Sequence, residues 1–155
     1  MDFEALAGQF WRDGFLLLDD HFPDGRMRQL DELIVRQFGD DPAFAHTQAF
    51  LDDSGADVIP WFPQHDGVSD FDELAADQWL EQLSAAILGV GWYSQYCMVM
   101  FSTPCSAGQP WHQDCPPEDP TRFNLNRLVY TRDITDETGG AIEVVPGSHR
   151  AGRLP

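Results

Sequence analysis

Apolar positions in residues 1–90 recur at three- and four-residue intervals, whereas in 91–155 they gather into short runs between glycines and prolines. Phe3, Leu6, Ala7, Phe10 and Trp11 share one helical face, which predicts a first helix closed by Gly14. "GFLLLDDHF" then reads as a short, heavily buried strand leading to Pro23. "DGRMRQLDELIVRQFG" has the pattern of a second amphipathic helix, with Asp24 placed to cap it and Gly39 to end it. Residues 40–70 are rich in Asp, Pro and Gly and predict an irregular excursion, with Phe44, Phe50, Trp61 and Phe62 available for packing. "SDFDELAADQWLEQLSAAILG" predicts one further helix, capped at Ser69 or Asp70 and terminated by Gly89.

After Gly91 the period changes. "WYSQYCMVMF", "RFNLNRLVYTRDI" and "AIEVV" are rich in aromatic and branched residues and predict strands. "TPCSAGQP" and "TDETGG" are turn-rich connections, and "PGSH" ends the last strand. The expected architecture is one α+β domain over 1–155, with a mainly helical region (1–90) bracing a β sandwich or barrel (91–155).

Composition narrows the function classes. The hydrophobic fraction is 43%, with five Trp and eleven Phe, which is enough apolar mass for a real core. Acids outnumber bases 26 to 9, a formal charge of −17 that opposes nucleic acid and anionic membrane surfaces. Every base is an arginine; the missing lysine removes P-loop and Schiff-base chemistry. Cys97, Cys105 and Cys115 form no C-x-x-C pair, which fits reduced thiols and argues against a disulfide framework or structural zinc. With no cationic leader and no apolar run of membrane length, a cytoplasmic location is expected.

Candidate chemistry centres on "GQPWHQDCPP", where His112 and Asp114 stand two positions apart in a segment too rich in glycine and proline for a helix. In an extended chain such residues point to one face, so imidazole and carboxylate converge. They could hold adjacent positions around a divalent cation, and with a further histidine would form the 2-His-1-carboxylate arrangement that leaves coordination positions open for reactants. Alternatively, the acid merely orients or caps beside a surface histidine.

In order along the chain, "GFLLLDDHF", "PWHQD" and "DETGGAIEVVPGSHR" resemble the phytanoyl-CoA dioxygenase family of Fe(II)- and 2-oxoglutarate-dependent oxygenases. The resemblance implies a double-stranded β-helix, the jelly-roll fold shared with cupins, braced by N-terminal helices. It implies His112 and Asp114 as the first two iron ligands, with Met98 and Tyr130 lining a 2-oxoglutarate pocket. It further implies a small-molecule substrate, O2 as oxidant and 2-oxoglutarate as co-substrate. Asp114 at the carboxylate position, rather than Ala or Gly, favours hydroxylation over halogenation.

In the family the distal ligand histidine and the arginine for 2-oxoglutarate come several dozen residues after the Pro-Gly-Ser-His turn, so neither is expected within these 155 residues. The barrel is then incomplete at its C-terminal side, and its open edge invites self-association. Three readings follow: an N-terminal part of a longer oxygenase with little activity alone; a compact cupin-like site using His112, Asp114 and His149; or a binding module without turnover. His21 is expected to cap its strand, and His46 and His65 to lie in the excursion. Arg127 and Arg132, at odd separation, should face opposite sides, so at most one faces the pocket, where it could meet a substrate carboxylate or simply pair with one of the many acids.

Overall fold

In the computed structural model the residues described are 2–38, 58–102, 109–114 and 123–150. The first helix, α1 (Phe3–Asp13), is capped by Asp2, whose side chain accepts from the N–H groups of Glu4 and Ala5. Gly14 ends it with φ 89°, a conformation that suits glycine, and its N–H bonds the Phe10 carbonyl. Helix α2 (Asp24–Phe38) starts one residue earlier than the capping pattern implies. Asp24 lies within the first turn, and the Pro23 carbonyl accepts from the N–H groups of Arg26 and Met27. Gly39, the expected terminator, lies outside the described residues, as do Phe44, Phe50 and His46.

The single long helix expected over 69–89 is instead two, α3 (Asp72–Ala75) and α4 (Gln78–Leu88). Asp77 makes the break: its ψ of 116° leaves the helical region, and its carboxylate accepts the Leu80 N–H at 2.8 Å as an N-cap. Gly89 closes α4 as expected. On α4 the residues Leu80, Leu83, Ser84 and Ile87 form the buried face.

Two apolar clusters organise the helical region. Ala7 of α1 packs with Leu83 and Ile87 of α4, flanked by Phe3, Phe10, Leu16, Leu18, Trp79 and Leu125. The Phe3 and Trp79 rings meet at 5.5 Å, and Trp11 Nε1–H donates to the Ile87 carbonyl at 3.2 Å. The second cluster joins Leu30 of α2, fully buried, to Trp61 and Phe71. Those two rings cross edge-on at 5.7 Å.

"GFLLLDDHF" forms no ladder among the described residues, but it keeps a strand's alternation: Leu16 and Leu18 pack inward while Leu17 is 78% exposed. A strand does occur inside the expected excursion. β1 (Val58–Trp61) pairs antiparallel with β2 (Val99–Ser102), with Pro60 opposite Met100 and Trp61 opposite Val99. Proline is tolerated in a strand where its position need not donate to the ladder. Residues 92–98, 123–130 and 141–145 show no ladder among those described.

The "TDETGG" connection is as tight as expected: Thr135 and Thr138 exchange side-chain and backbone bonds, and the Gly139 N–H bonds the Thr135 carbonyl. A short 3-10 turn, Ser148–Arg150, follows Gly147. Among the described residues no helix is long and apolar enough to cross a membrane.

Candidate metal centre

His112 and Asp114 lie in the exposed segment 109–114, with the Pro110 carbonyl 2.8 Å from His112 Nδ1. A carbonyl can only accept, so Nδ1 carries a hydrogen and, in the neutral ring, Nε2 presents its lone pair. That lone pair looks toward Asp114 Oδ1 at 3.5 Å. The other carboxylate oxygen, Oδ2, accepts from Asn126 Nδ2.

The result is two acceptor atoms facing each other across a gap, each held from behind by a hydrogen bond. Such a gap is filled favourably by a proton or a cation. Metal bonds to nitrogen and oxygen of about 2.0–2.2 Å, meeting at an angle between a right angle and tetrahedral, set two donors about 3–3.5 Å apart. The observed separation fits a shared cation, and a neutral imidazole with a carboxylate suits a divalent transition metal. Both side chains remain about half exposed, which leaves room for further ligands.

Among the described residues no group of three His, Cys, Asp or Glu side chains converges on a point. His149 lies elsewhere: its Nε2 is 3.0 Å from the Trp11 carbonyl at the end of α1, and its Nδ1 lies where a Cβ on Gly14 would come within 2.5 Å. Arg150 donates to the same carbonyl, and the Gly147 N–H reaches the Asp13 carbonyl at 2.8 Å. The Pro-Gly-Ser-His turn thus serves the carbonyl groups that a helix leaves unpaired at its C-terminus, where positive side chains are also favoured.

Tyr130 uses its hydroxyl to join two parts of the chain, donating to the Gly140 carbonyl at 3.3 Å and accepting from the Ile142 N–H at 3.1 Å. Met98 is half-buried just before β2. Arg127 reaches Glu81 of α4 at 3.6 Å and lies over the Trp92 ring, whereas Arg132 pairs with Asp31 of α2 at 2.7 Å. The two arginines meet different acids on different helices. An open depression of about 420 Å³ beside Arg132 is lined by Asp31, Glu32, Val35 and Arg36, none of them in the 109–114 segment.

His21 does not cap a strand end; its Nε2 is 3.1 Å from Asp77 Oδ1, and its ring packs on Trp79 and Phe22. His65 stacks on Phe62. Burial, and secondarily the charge of Asp72, pushes the Cys97 thiol up, away from a reactive thiolate. Cys105 and Cys115 lie outside the described residues.

Two contributors were not legible beforehand. The Pro110 carbonyl acts through the backbone, which no side-chain pattern reveals. Asn126 left a faint sign, since asparagine is depleted in stretches that otherwise read as strand.

No curated protein and no solved structure matches the chain. A family model does: that of phytanoyl-CoA dioxygenase, over residues 10–155. The match includes "PWHQD" with its facing imidazole and carboxylate, and the docked Pro-Gly-Ser-His turn. Spanning nearly the whole sequence, it places the chain in the phytanoyl-CoA dioxygenase family, a family of Fe(II)- and 2-oxoglutarate-dependent oxygenases.

Proposed function

We propose that His112 and Asp114 are two of the protein ligands to Fe(II) in an oxygenase that hydroxylates a small organic substrate, on a double-stranded β-helix whose helical brace is α1, α2 and α4. One observation carries the reading: His112 Nε2 and Asp114 Oδ1 face each other at 3.5 Å with their outer atoms already engaged. Family membership supports the metal and the co-substrate. Bound Fe(II) supplies the centre at which O2 and 2-oxoglutarate are converted, one oxygen atom entering succinate and the other the hydroxylated product, with loss of CO2.

The residues of this chain hold and orient. The Pro110 carbonyl keeps His112 in the tautomer that offers Nε2, and the carboxylate of Asp114 supplies the charge that favours a divalent cation over water. Met98 and Tyr130 are proposed to border the 2-oxoglutarate pocket, Tyr130 by bracing the Gly140–Ile142 backbone. With two donors in place and no third joining them among the described residues, the 155-residue chain should bind metal weakly and form no succinate on its own.

The test is anaerobic titration of the chain with Fe(II), or with Co(II) as a spectroscopic substitute. Measurable binding should disappear in both His112→Ala and Asp114→Ala and persist in His149→Ala. Tight binding that is lost in His149→Ala would instead establish a compact cupin-like site. Failure of the wild-type chain to bind metal would leave a binding module without turnover as the surviving reading.

A further inference from the structure

The two oxygens of Asp114 keep different company. Oδ1 faces His112 at 3.5 Å, while Oδ2 accepts from the side-chain amide of Asn126. A carboxylate only accepts, so the amide must present its nitrogen here and the orientation of Asn126 is determined by chemistry.

Asn126 is well placed to hold that position. Its neighbours on either side are both half-buried and both attached to the helical layer: Leu125 packs against the Ala7, Leu83 and Ile87 cluster, and Arg127 reaches Glu81 on α4. Asn126 between them is exposed, as alternation in an extended chain requires, and turns the other way toward the metal segment. The amide is therefore carried by a segment fixed from behind at both adjacent positions.

We propose that Asn126 is a positioning residue for the metal centre: by occupying Oδ2 it makes Asp114 a one-oxygen ligand through Oδ1. This rests on the reading of His112 and Asp114 as ferrous ligands. A carboxylate can bind a cation through one oxygen or both. Held to one, it takes a single coordination position and leaves the others for 2-oxoglutarate and O2. Without the amide, the carboxylate is free to rotate and close both oxygens on the metal, consuming a position that the reaction needs. Partners that orient metal ligands in this way typically change affinity by about 10- to 100-fold when removed.

The experiment compares wild type with Asn126→Leu, which keeps the size and removes the donor. Co(II) affinity is measured by titration, and the Asp114 binding mode by infrared difference spectra of protein labelled with 13C at aspartate, with Asp114→Asn identifying the band. The splitting between antisymmetric and symmetric carboxylate stretches is wide for one-oxygen ligation and narrow for two. Expected are an affinity loss of about 10-fold and a narrowed splitting in the variant. An unchanged affinity and splitting overturns the role of Asn126 while leaving the metal site standing. Wild-type protein whose Co(II) binding is absent, or survives Asp114→Ala, overturns both together. Asn126→Ala, read the same way, replaces the leucine variant should that one fail to fold.

Discussion

The helical region and the segment that carries His112 and Asp114 are held by different forces. In the former, Leu30 has no exposed surface, and Ala7, Trp61, Phe71, Leu80, Leu83 and Ile87 are each at most 6% exposed. In residues 109–114 and 123–150 no described residue is buried, and Phe123, Leu128 and Ile142 are each more than half exposed. The attachments of that segment are largely polar: Arg127 to Glu81, Arg132 to Asp31, Gly147 to the Asp13 carbonyl, and His149 with Arg150 to the Trp11 carbonyl. Burying a leucine contributes about 1.5–3 kcal/mol without regard to direction, whereas a single hydrogen bond contributes about 0.5–1.5 kcal/mol but fixes an angle. The first kind of force builds a platform. The second sets the orientation of a side chain.

The largest loss is expected at Leu30. It joins α2 to Trp61 on β1 and Phe71 ahead of α3, so truncation leaves a cavity with three elements around it. Leu30→Ala should cost about 3 kcal/mol, read from urea denaturation. The loss should lower the unfolding midpoint of the whole helical region, followed by far-UV circular dichroism. A cost below about 1 kcal/mol would mean that the cluster around Leu30 collapses to refill the space.

Gly14 probes the polar side. A Cβ there suffers twice: φ is 89°, and the added atom would lie 2.5 Å from His149 Nδ1. Gly14→Ala should cost about 1–2 kcal/mol from the backbone alone and should also displace His149 from the Trp11 carbonyl. The sharper measurement is a double-mutant cycle with His149→Ala. If the turn docks as described, the penalty of Gly14→Ala shrinks once the imidazole is gone, and the difference is the contact energy. Equal penalties in both backgrounds would separate Gly14 from His149.

The same contrast explains what could be read in advance. Helices α1 and α2 were legible because their apolar stripes report burial, the force that holds them. The His112–Asp114 pair was legible because residues two apart in a non-helical segment can share a face without help from a distant partner. β1 was hidden by Pro60, a residue type that cannot donate to a ladder and that normally marks irregular chain. Asn126, the Pro110 carbonyl and the docking of His149 were illegible because each depends on a partner brought up by tertiary folding; Asn126 meets Asp114 twelve residues away and His149 meets Trp11 at the far end of the chain. The break within 69–89 has the same origin. Periodicity runs through Asp77, but the side chain of Asp77 competes for the backbone and His21 reinforces the break.

Asp77 therefore offers the finest test, because it is a polar device inside the apolar region. Burial pushes its carboxyl up, but the Leu80 N–H, the His21 ring and the Trp79 N–H together outweigh that and hold it below its ordinary value. A carboxyl lowered on folding contributes stability that is complete above its unfolded value and fades as pH falls through the folded one. Asp77→Ala should cost about 1 kcal/mol at neutral pH, since it removes the cap of α4 and the partner of His21. In Asp77→Asn the cap oxygen survives without the charge, so the cost should be only about half as large. Urea midpoints for the three proteins, taken from neutral pH down to about pH 3, separate the two contributions. The gap between wild type and Asp77→Asn should narrow toward acid, while the gap between Asp77→Asn and Asp77→Ala should hold, because that difference is a neutral hydrogen bond. Should the first gap stay constant instead, the charge of Asp77 contributes nothing and the oxygen alone makes the corner between α3 and α4.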